Sequence, residues 1–323
     1  MLRLITLPTP FPVGPVNVYL AEGDPLTLID TGPKWGPARA ALEAGLAEAG
    51  CRIEDLRRLI LTHHHADHVG LAGEIVARSG AEVVTHTSNR AWLADYCAER
   101  ARHRPFFQAL WAASGVPADI AAAIDDSGAD IGKWQDPVAT ARGLEEGDLL
   151  DLAGAAWRVY HTPGHAGGLI CLWEPASRTL LANDHVLKDI SSNPVLEPPA
   201  HSQALADRPR RLEQYLHHLR RAADLAPALT LPGHGAPVDD VPALVRARLV
   251  FHERRKARLV KMLAAAGPQT LWELVQATFG ARLTRGMDWF LGCSEILGHL
   301  DLLETDGVIA PHPAGAVTRW AVK

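Results

Sequence analysis

The chain has 323 residues, 47% of them hydrophobic, and a formal net charge of -5. This length and apolar content predict one large domain and a smaller one. No apolar run is long enough to cross a bilayer, and the amino terminus lacks the basic and apolar regions of a secretory signal. The four cysteines lack metal-binding or redox spacing, so we expect reduced thiols in a cytoplasmic protein. Their positions are Cys51, Cys97, Cys171 and Cys293.

Short apolar segments near the amino terminus predict the start of an antiparallel sheet. The predicted strands are Leu2 to Leu7, Val16 to Leu20 and Leu26 to Asp30, with glycine and proline in the turns between them. An Ala/Leu/Glu-rich helix is predicted from Pro37 to Ala49, and Gly50 ends it. Glu82 to His86 predicts a further strand.

A histidine-rich loop lies between the predicted strand Leu56 to Leu61 and a helix-like apolar pattern that follows it. His63 and His65 are two residues apart, so in extended chain they point the same way. Asp67 and His68 follow where the helix begins. These residues form two pairs, and each pair could hold its own metal. Neutral imidazole and carboxylate ligands suit zinc, manganese or iron.

Three more residues of ligand type, His165, Asp184 and His234, each follow an apolar segment that predicts a strand. The adjacent glycines and prolines allow the backbone to turn sharply at these points. Because ligands at the ends of neighbouring strands converge at one edge of a sheet, we expect these three to lie close to the histidine-rich loop. The predicted strands are Trp157 to His161, Thr179 to Ala182 and Leu229 to Leu231.

This pattern resembles the metallo-β-lactamase superfamily over roughly residues 1 to 240. The family's HxHxDH motif is followed, in order, by the three downstream ligands. The resemblance implies an α/β fold, an αββα sandwich with two metals at one edge, zinc being expected and manganese or iron the alternatives. It implies that one metal is held by His63, His65 and His165. It implies that the other is held by Asp67, His68 and His234. Asp184 would bridge them together with a water or hydroxide.

Other residues refine the resemblance. True β-lactamases usually have Cys at the position of Asp184, which argues against antibiotic hydrolysis. Flavodiiron oxygen reductases have Glu at the position of His65 and a flavodoxin domain, and neither feature occurs here. In the family, the residue at Asp30 lies close to the metal ligands. Asp30 is therefore predicted either to orient a ligand or to serve only as a turn or helix cap.

Residues 90 to 135 depart from the bare sandwich and predict a helical insertion, with helices near 88–99, 104–114 and 117–126. The insertion could form a lid or a substrate wall. Its aromatic residues could line an acyl pocket or belong to the core. They are Trp92, Phe106, Phe107, Trp111 and Trp134. His103 is predicted to be a surface residue rather than a ligand. The loop at 184–194 is predicted to border the substrate, with the remaining nearby histidines beside the ligands or on the surface. These are His161, His185 and His201.

Residues 241 to 323 are predicted to form a second, mainly helical domain. A long helix from Ala243 to Ala266 is followed by helices at 270–279 and 293–304 and by short strands at 308–310 and 317–321. That order is typical of a winged-helix-like module. The segment contains eleven Lys/Arg and seven Asp/Glu, about +4, which leaves about -9 for the rest. The basic face of the long helix could follow a phosphate backbone or could simply be solvated. His252 lies on this helix, where it could reach toward the metal edge.

These observations predict a dinuclear metal-dependent hydrolase. A metal-bridging hydroxide would attack a small-molecule thioester or ester, with Asp67 and Asp184 as the catalytic carboxylates. Such a thioester or ester hydrolase is similar to hydroxyacylglutathione hydrolase. The first alternative is a single-strand endoribonuclease or phosphodiesterase like the lactamase-like nuclease of animal mitochondria, with nucleic acid as partner. The second is a non-catalytic metal-binding protein. No substrate-binding residue and no oligomeric state is predicted.

Overall fold

Two β-sheets pack face to face, with helices on their outer surfaces. The computed structural model describes residues 1–190 and 194–323. Residues 191–193 belong to the loop that was predicted to border the substrate, and they lie outside the described residues. The core between the sheets includes Ile60 and Val84 from the first sheet and Val159, Leu172 and Leu181 from the second. This layering agrees with the predicted α/β sandwich.

The first sheet begins antiparallel and continues parallel. Its six strands lie in the order β1-β2-β3-β4-β5-β6, and every pair from β3 onward is parallel. Helices α1 (Gly36–Glu48) and α3 (Ala72–Ser79) cover its outer face, where Leu42 and Ile75 are buried. The strands are β1 (Leu2–Leu7), β2 (Val16–Ala21), β3 (Thr27–Ile29), β4 (Arg58–Leu61), β5 (Glu82–His86) and β6 (Arg142–Leu144). The short helix α2 (Ala66–Val69) follows β4.

The second sheet has five strands in the order β11-β10-β9-β8-β7, and only β10 and β11 run parallel. Helix α7 (Arg211–Asp224) covers its outer face through Leu212, Tyr215 and Leu219. These side chains recur every three or four residues, the spacing of one helix face. The strands are β7 (Leu149–Leu152), β8 (Ala155–His161), β9 (Ile170–Glu174), β10 (Thr179–Asn183) and β11 (Leu229–Pro232).

The insertion and the carboxy-terminal segment share one hydrophobic core, and we call residues 90–135 and 241–323 together the helical half. Phe106 and Leu110 of the insertion pack in the same cluster as Leu259, Ile296 and Leu300. The helices are α4 (Arg90–Ala94), α5 (Tyr96–Ala113), α6 (Ala118–Ile131), α8 (Val241–Ala266), α9 (Leu271–Phe279) and α10 (Gly286–Thr305). The ribbon of β12 (Ile309–Ala314) and β13 (Val317–Val322) ends the chain described. The predicted domain boundary at 240 stays a prediction.

Some local predictions were wrong. Helix α5 runs unbroken from Tyr96 to Ala113 and includes Pro105, where two separate helices near 88–99 and 104–114 were predicted. Helix α10 begins at Gly286 rather than Cys293. His103 is buried, because its ring stacks on Trp92 and faces Glu99. Strands β6, β7 and β9 were not predicted.

His252 was also placed wrongly by the sequence analysis. Its side chain is buried between α8 and α10, where its Nδ1 lies 3.0 Å from Nε2 of His299. The residue therefore faces α10 rather than the metal edge.

None of the described helices combines the length and the apolar character that a bilayer crossing requires. The four cysteines are free thiols; Cys171 and Cys293 are buried, Cys51 is half-buried and Cys97 is exposed.

Candidate metal centre

The seven predicted ligands lie together at one edge of the sandwich. His63 and His65 follow β4, and α2 supplies Asp67 and His68. His165 lies in the turn after β8, Asp184 directly follows β10, and His234 follows β11. The four residues of the histidine-rich loop thus come from the end of the first sheet, and the other three come from the second sheet. The strand ends of both sheets therefore meet here.

Three imidazoles form the first group. His65 Nδ1 lies 3.1 Å from His63 Nε2 and 2.9 Å from His165 Nε2. These atoms all lie within 4.8 Å of one another, as the ligands of one metal ion would. Burial, together with the neighbouring imidazoles, holds the pKa values of His63 and His65 well below the usual histidine range. Both rings are therefore neutral near pH 7 and keep a lone pair for a metal.

The second group combines two imidazoles with a carboxylate. Asp67 Oδ2 lies 3.4 Å from His234 Nε2 and 4.0 Å from His68 Nε2. Asp184 lies between the two groups. Its Oδ1 is 3.4 Å from His68 Nε2, and its Oδ2 is 3.4 Å from His165 Nε2 and 3.5 Å from His234 Nε2. Asp184 thus contacts ligand atoms of both groups, as a bridging carboxylate would.

The electrostatics of the second group favour a cation. Burial disfavours every charge here, yet His68 and His234 outweigh it for Asp67 and lower the pKa of that carboxyl to about 2. The pKa of Asp184 is likewise depressed by His234 and His68 despite burial. Conversely, the carboxylates of Asp184 and Asp67 overcome burial and raise the pKa values of His68 and His234. Two carboxylates in contact with the same rings, Asp184 buried and Asp67 half-buried, would attract a divalent ion.

Asp30 fixes the geometry of the loop that bears the histidines. Its carboxylate accepts hydrogen bonds from the Thr62 backbone N–H, the Thr62 hydroxyl and His68 Nδ1, each at 2.8 Å. The residue has φ +59°, a left-handed conformation that Asp tolerates better than most residues. Of the two roles predicted for Asp30, its hydrogen bond with His68 favours the first, the orientation of a metal ligand.

The Nδ1 atoms of His63, His68 and His234 contact groups outside the centre, and this leaves their Nε2 atoms to face the centre. Thr62 Oγ1 donates to Asp30, so it can accept from His63 Nδ1 at 3.1 Å. His234 Nδ1 donates to Pro15 O at 2.7 Å. Nε2 of His68 and Nε2 of His234 are buried and have no hydrogen-bond partner among residues 1–190 and 194–323. Buried polar atoms normally find a partner, and a metal ion at this centre would supply it.

Buried polar residues that the sequence analysis missed hold the ligand loops. Both carboxylate oxygens of Glu197 accept from Gly167 N at 2.9 Å, close to His165, while Arg211 Nη2 donates to Glu197 at 2.5 Å. Asn17 Nδ2 donates to the carbonyls on either side of His234, at 3.1 and 2.9 Å. A lone amide in the otherwise apolar strand β2 is a sequence signal for Asn17. Glu197 and Arg211 meet only through the fold, so spacing gives no such signal.

The remaining histidines do not join the ligand groups found among the described residues. His185 is fully buried, His161 is half-buried with its Nε2 donating to Gly167 O at 2.8 Å, and His201 is exposed. These placements agree with the prediction that they lie beside the ligands or on the surface.

A cleft of about 630 Å³ opens onto the metal edge at His65, Asp67 and His165. Four of the five aromatic residues proposed for an acyl pocket line it. They are Trp92, Phe107, Trp111 and Trp134. Phe106 does not line the cleft, because it is fully buried in the core of the helical half. The insertion therefore forms part of the lining of the cleft, and Phe11 and Phe290, which were not predicted, contribute to the lining from other segments.

Comparison with known proteins agrees with this geometry. The family model of the Metallo-beta-lactamase superfamily matches residues 11–234, which include all seven residues of the centre. The chain belongs to this superfamily. The "Probable metallo-hydrolase YqjP" of Bacillus subtilis (strain 168) is 36% identical, covering 96% of this chain and 94% of that protein. The crystal structure of a metallo-beta-lactamase family protein from Thermus thermophilus is similar over 100% of this chain and 98% of that one, with a TM-score of 0.83 and 29% identity.

A more distant superfamily relative is named for its reaction. The "Atrochrysone carboxyl ACP thioesterase" of Aspergillus fumigatus is 25% identical, covering 83% of this chain. The matched region is 48% of that protein, so this chain matches about half of its length. The relatives together support a metallo-hydrolase.

Proposed function

We propose that the protein is a hydrolase that holds two divalent cations, zinc being the metal we expect, through the seven residues of the centre. The support is the arrangement of two three-ligand groups that both contact Asp184. Imidazole and carboxylate ligands in groups of three are typical of zinc sites that keep a position open for chemistry. When bound, such a pair of ions lowers the pKa of water and polarises a carbonyl oxygen.

The protein's own groups prepare this chemistry. Asp67 faces the cleft, and its low pKa keeps it an ionised acceptor near pH 7, able to orient a water molecule. Asp184 sets the separation between the two groups of ligands. Asp30 holds His68 in one tautomer through Nδ1. These are positioning roles that a rigid sheet edge can perform better than a mobile loop.

We propose that the substrate is a thioester or ester, and the lining of the cleft carries this proposal. Its walls are mainly apolar, and its three arginines have acidic partners. Arg100 and Arg104 pair with Asp125, and Arg285 pairs with Asp288. Because Arg100 and Arg104 share one carboxylate, these five side chains carry a net charge of only about +1, whereas binding a chain of phosphates requires several cations. An uncharged acyl group therefore fits this cleft better than RNA, which leaves the endoribonuclease as the second candidate.

The thioesterase name of the Aspergillus fumigatus relative supports the acyl substrate, since that protein matches most of this chain. The likeness to hydroxyacylglutathione hydrolase stays a prediction, and so does the winged-helix-like character of the carboxy-terminal segment. We do not propose glutathione as the carrier of the acyl group.

The test combines metal content with a substrate panel. The protein reconstituted with zinc, manganese or iron should bind about two ions per chain. It should hydrolyse acyl thioesters and leave phosphodiesters and single-stranded RNA intact. Protein stripped of metal by a chelator should lose the activity and regain it on addition of metal. Metal content near zero with all three ions, or cleavage of RNA without thioesterase activity, would contradict the proposal.

A further inference from the structure

The cleft is shared by two segments that are far apart in the sequence. We propose that it binds an apolar acyl group, and that Phe290 of α10 limits the length of the acyl group that fits. This inference rests on the proposed hydrolysis of an acyl ester or thioester. It assigns the carboxy-terminal segment a direct contact with the substrate.

Three aromatic side chains converge in the cleft from α5 and α10. Phe107 and Trp111 stack at 5.9 Å between ring centres, and Phe290 meets each of them edge-on at 6.2 Å. All three line the cleft, and all three pack in the core of the helical half. Trp111 is 3% exposed, while Phe107 and Phe290 are half-buried. We call Phe107, Trp111 and Phe290 the aromatic cluster.

The metal edge supplies a different set of contacts to the same cleft. Trp92 stacks on His64 at 5.0 Å, and His64 lies between the ligands His63 and His65. The cleft is thus lined on the one hand by the metal edge with Trp92 beside it. It is lined on the other hand by the aromatic cluster, which packs in the core of the helical half. An acyl group with its carbonyl at the metal edge would extend its tail into the aromatic cluster.

The wall formed by α10 is fixed against the insertion. Gly286, the first residue of α10, contacts α6 so closely that a Cβ atom there would lie 2.0 Å from the Ala123 carbonyl oxygen. Met287, Phe290 and Leu291 follow immediately and line the cleft. Because glycine at 286 allows the start of α10 to pack directly against α6, the backbone beside the cleft has no room to move closer to α6, and the size of the side chain at 290 determines how much space remains.

The apolar lining and the paired charges of the cleft indicate which ligand it would bind. The arginines of the walls already have carboxylate partners, so the cleft does not require an anionic tail. Each methylene that enters an apolar site should tighten binding about fourfold. We therefore infer a site for an apolar acyl chain or an apolar aromatic acyl group, with affinity that rises with length until the cleft is full.

The experiment measures binding to the 323-residue chain without metal, so it does not depend on catalysis. Saturated carboxylic acids from butyrate to palmitate would be titrated while tryptophan fluorescence is followed, since Trp92, Trp111 and Trp134 line the cleft. The affinity of the wild type should rise with each methylene and then level off. Naphthoate compared with decanoate distinguishes an aromatic acyl group from a straight chain, because the better-fitting shape binds more tightly.

Two substitutions of Phe290 change the space in opposite directions. In Phe290→Ala the affinity should level off at a longer acid than in the wild type, and in Phe290→Trp it should level off at a shorter one. We call this chain length the plateau. Phe251→Ala is the matched control, because Phe251 belongs to the same carboxy-terminal segment but is 40% exposed on α8. Its plateau should equal that of the wild type. The circular dichroism of every variant would be compared with the wild type.

Two results would overturn the inference. The first is wild-type affinity that does not depend on chain length. The second is a plateau that stays in place in both Phe290 variants, or that moves as far in Phe251→Ala. Failure of the proposed function looks different: the length-dependent binding would persist, while the metal-loaded enzyme would hydrolyse no acyl thioester or ester.

Discussion

The metal edge and the helical half are built in contrasting ways. At the metal edge, seven polar residues meet at strand ends, and buried partners such as Asp30 and Asn17 hold the loops that carry them. In the helical half, an apolar core joins the insertion to α8, α9 and α10 and sends aromatic side chains into the cleft. We therefore propose that the residues at the sheet edges carry out the hydrolysis and that the helical half selects the substrate. Substitutions in each region would test this proposal.

The largest effect is expected for Asp184→Ala. Asp184 contacts both ligand groups, so its loss should disturb both at once and reduce hydrolysis roughly a thousandfold or more. The fold should survive, because the sheets are held by their apolar cores. Turnover, metal content and circular dichroism would be measured. Asp189→Ala, an exposed residue in the same loop, is the control and should behave as the wild type. Unchanged turnover in Asp184→Ala would refute the bridging role.

A smaller effect on the same region is expected for Asp30→Asn. The Asp30 carboxylate accepts three hydrogen bonds, and an amide in either orientation would turn an NH₂ group toward one of these donors. Residues that orient metal ligands typically contribute about 10–100-fold to metal affinity or activity. We expect a loss of that size in zinc affinity and kcat/KM. Exposed Asp119→Asn is the control. If Asp30→Asn binds zinc as tightly as the control, Asp30 acts only as part of a turn.

The contrast also explains which features could be predicted from sequence. The ligands could be predicted because HxHxDH is a local pattern and the other three residues follow recognisable strands. The cleft could be predicted only in part: Trp92 and Phe107 lie in the insertion, but Phe11 and Phe290 come from distant segments. Spacing cannot show which helix faces meet. For this reason His103 was predicted to lie on the surface, whereas stacking on Trp92 buries it.

A third prediction concerns acid stability and the buried pair in the helical half. Burial, followed by Arg248 and Arg255, lowers the pKa of His252 to about 4, and burial lowers that of His299 to about 3. Below pH 6.5 these histidines take up protons in the unfolded chain but not in the folded one. The free energy of unfolding should therefore fall as the pH decreases from 6.5 to about 4, by about 1.4 kcal/mol per pH unit for each histidine.

A comparison of two histidine variants separates the contribution of His299 to acid stability from that of the other buried histidines. In His299→Leu, urea unfolding between pH 7.5 and 5 should show a slope smaller by about 1.4 kcal/mol per pH unit below pH 6.5. His201→Leu, an exposed position, should keep the wild-type slope. The slope is the readout, because the leucine could change the stability at pH 7.5 by its packing alone. Equal slopes in the two variants would mean that His299 is charged in the folded protein.

The smallest effect is expected where the helical half is most basic. Arg254 and Arg258 lie on the exposed face of α8 and do not line the cleft. Arg255 differs, because it pairs with Glu295 at 2.8 Å and lies over the ring of Phe279, so it is left unchanged. Reversal of both exposed charges to Glu should alter KM for an acyl thioester less than about fivefold, since exposed charge pairs are worth roughly 0–1 kcal/mol.

RNA would give the opposite result with the same double variant. Several phosphates would be contacted at once, and log affinity would fall with log salt by about 0.7 per phosphate for a single strand. Phe251 is the only aromatic residue of α8, whereas proteins that bind single strands usually stack bases on several aromatic side chains. We therefore expect weak RNA binding in both the wild type and the variant across a salt series. Tight, salt-sensitive binding that the reversal abolishes would promote the nuclease. It would also mean that the helical half selects its substrate by charge and not by the apolar cleft.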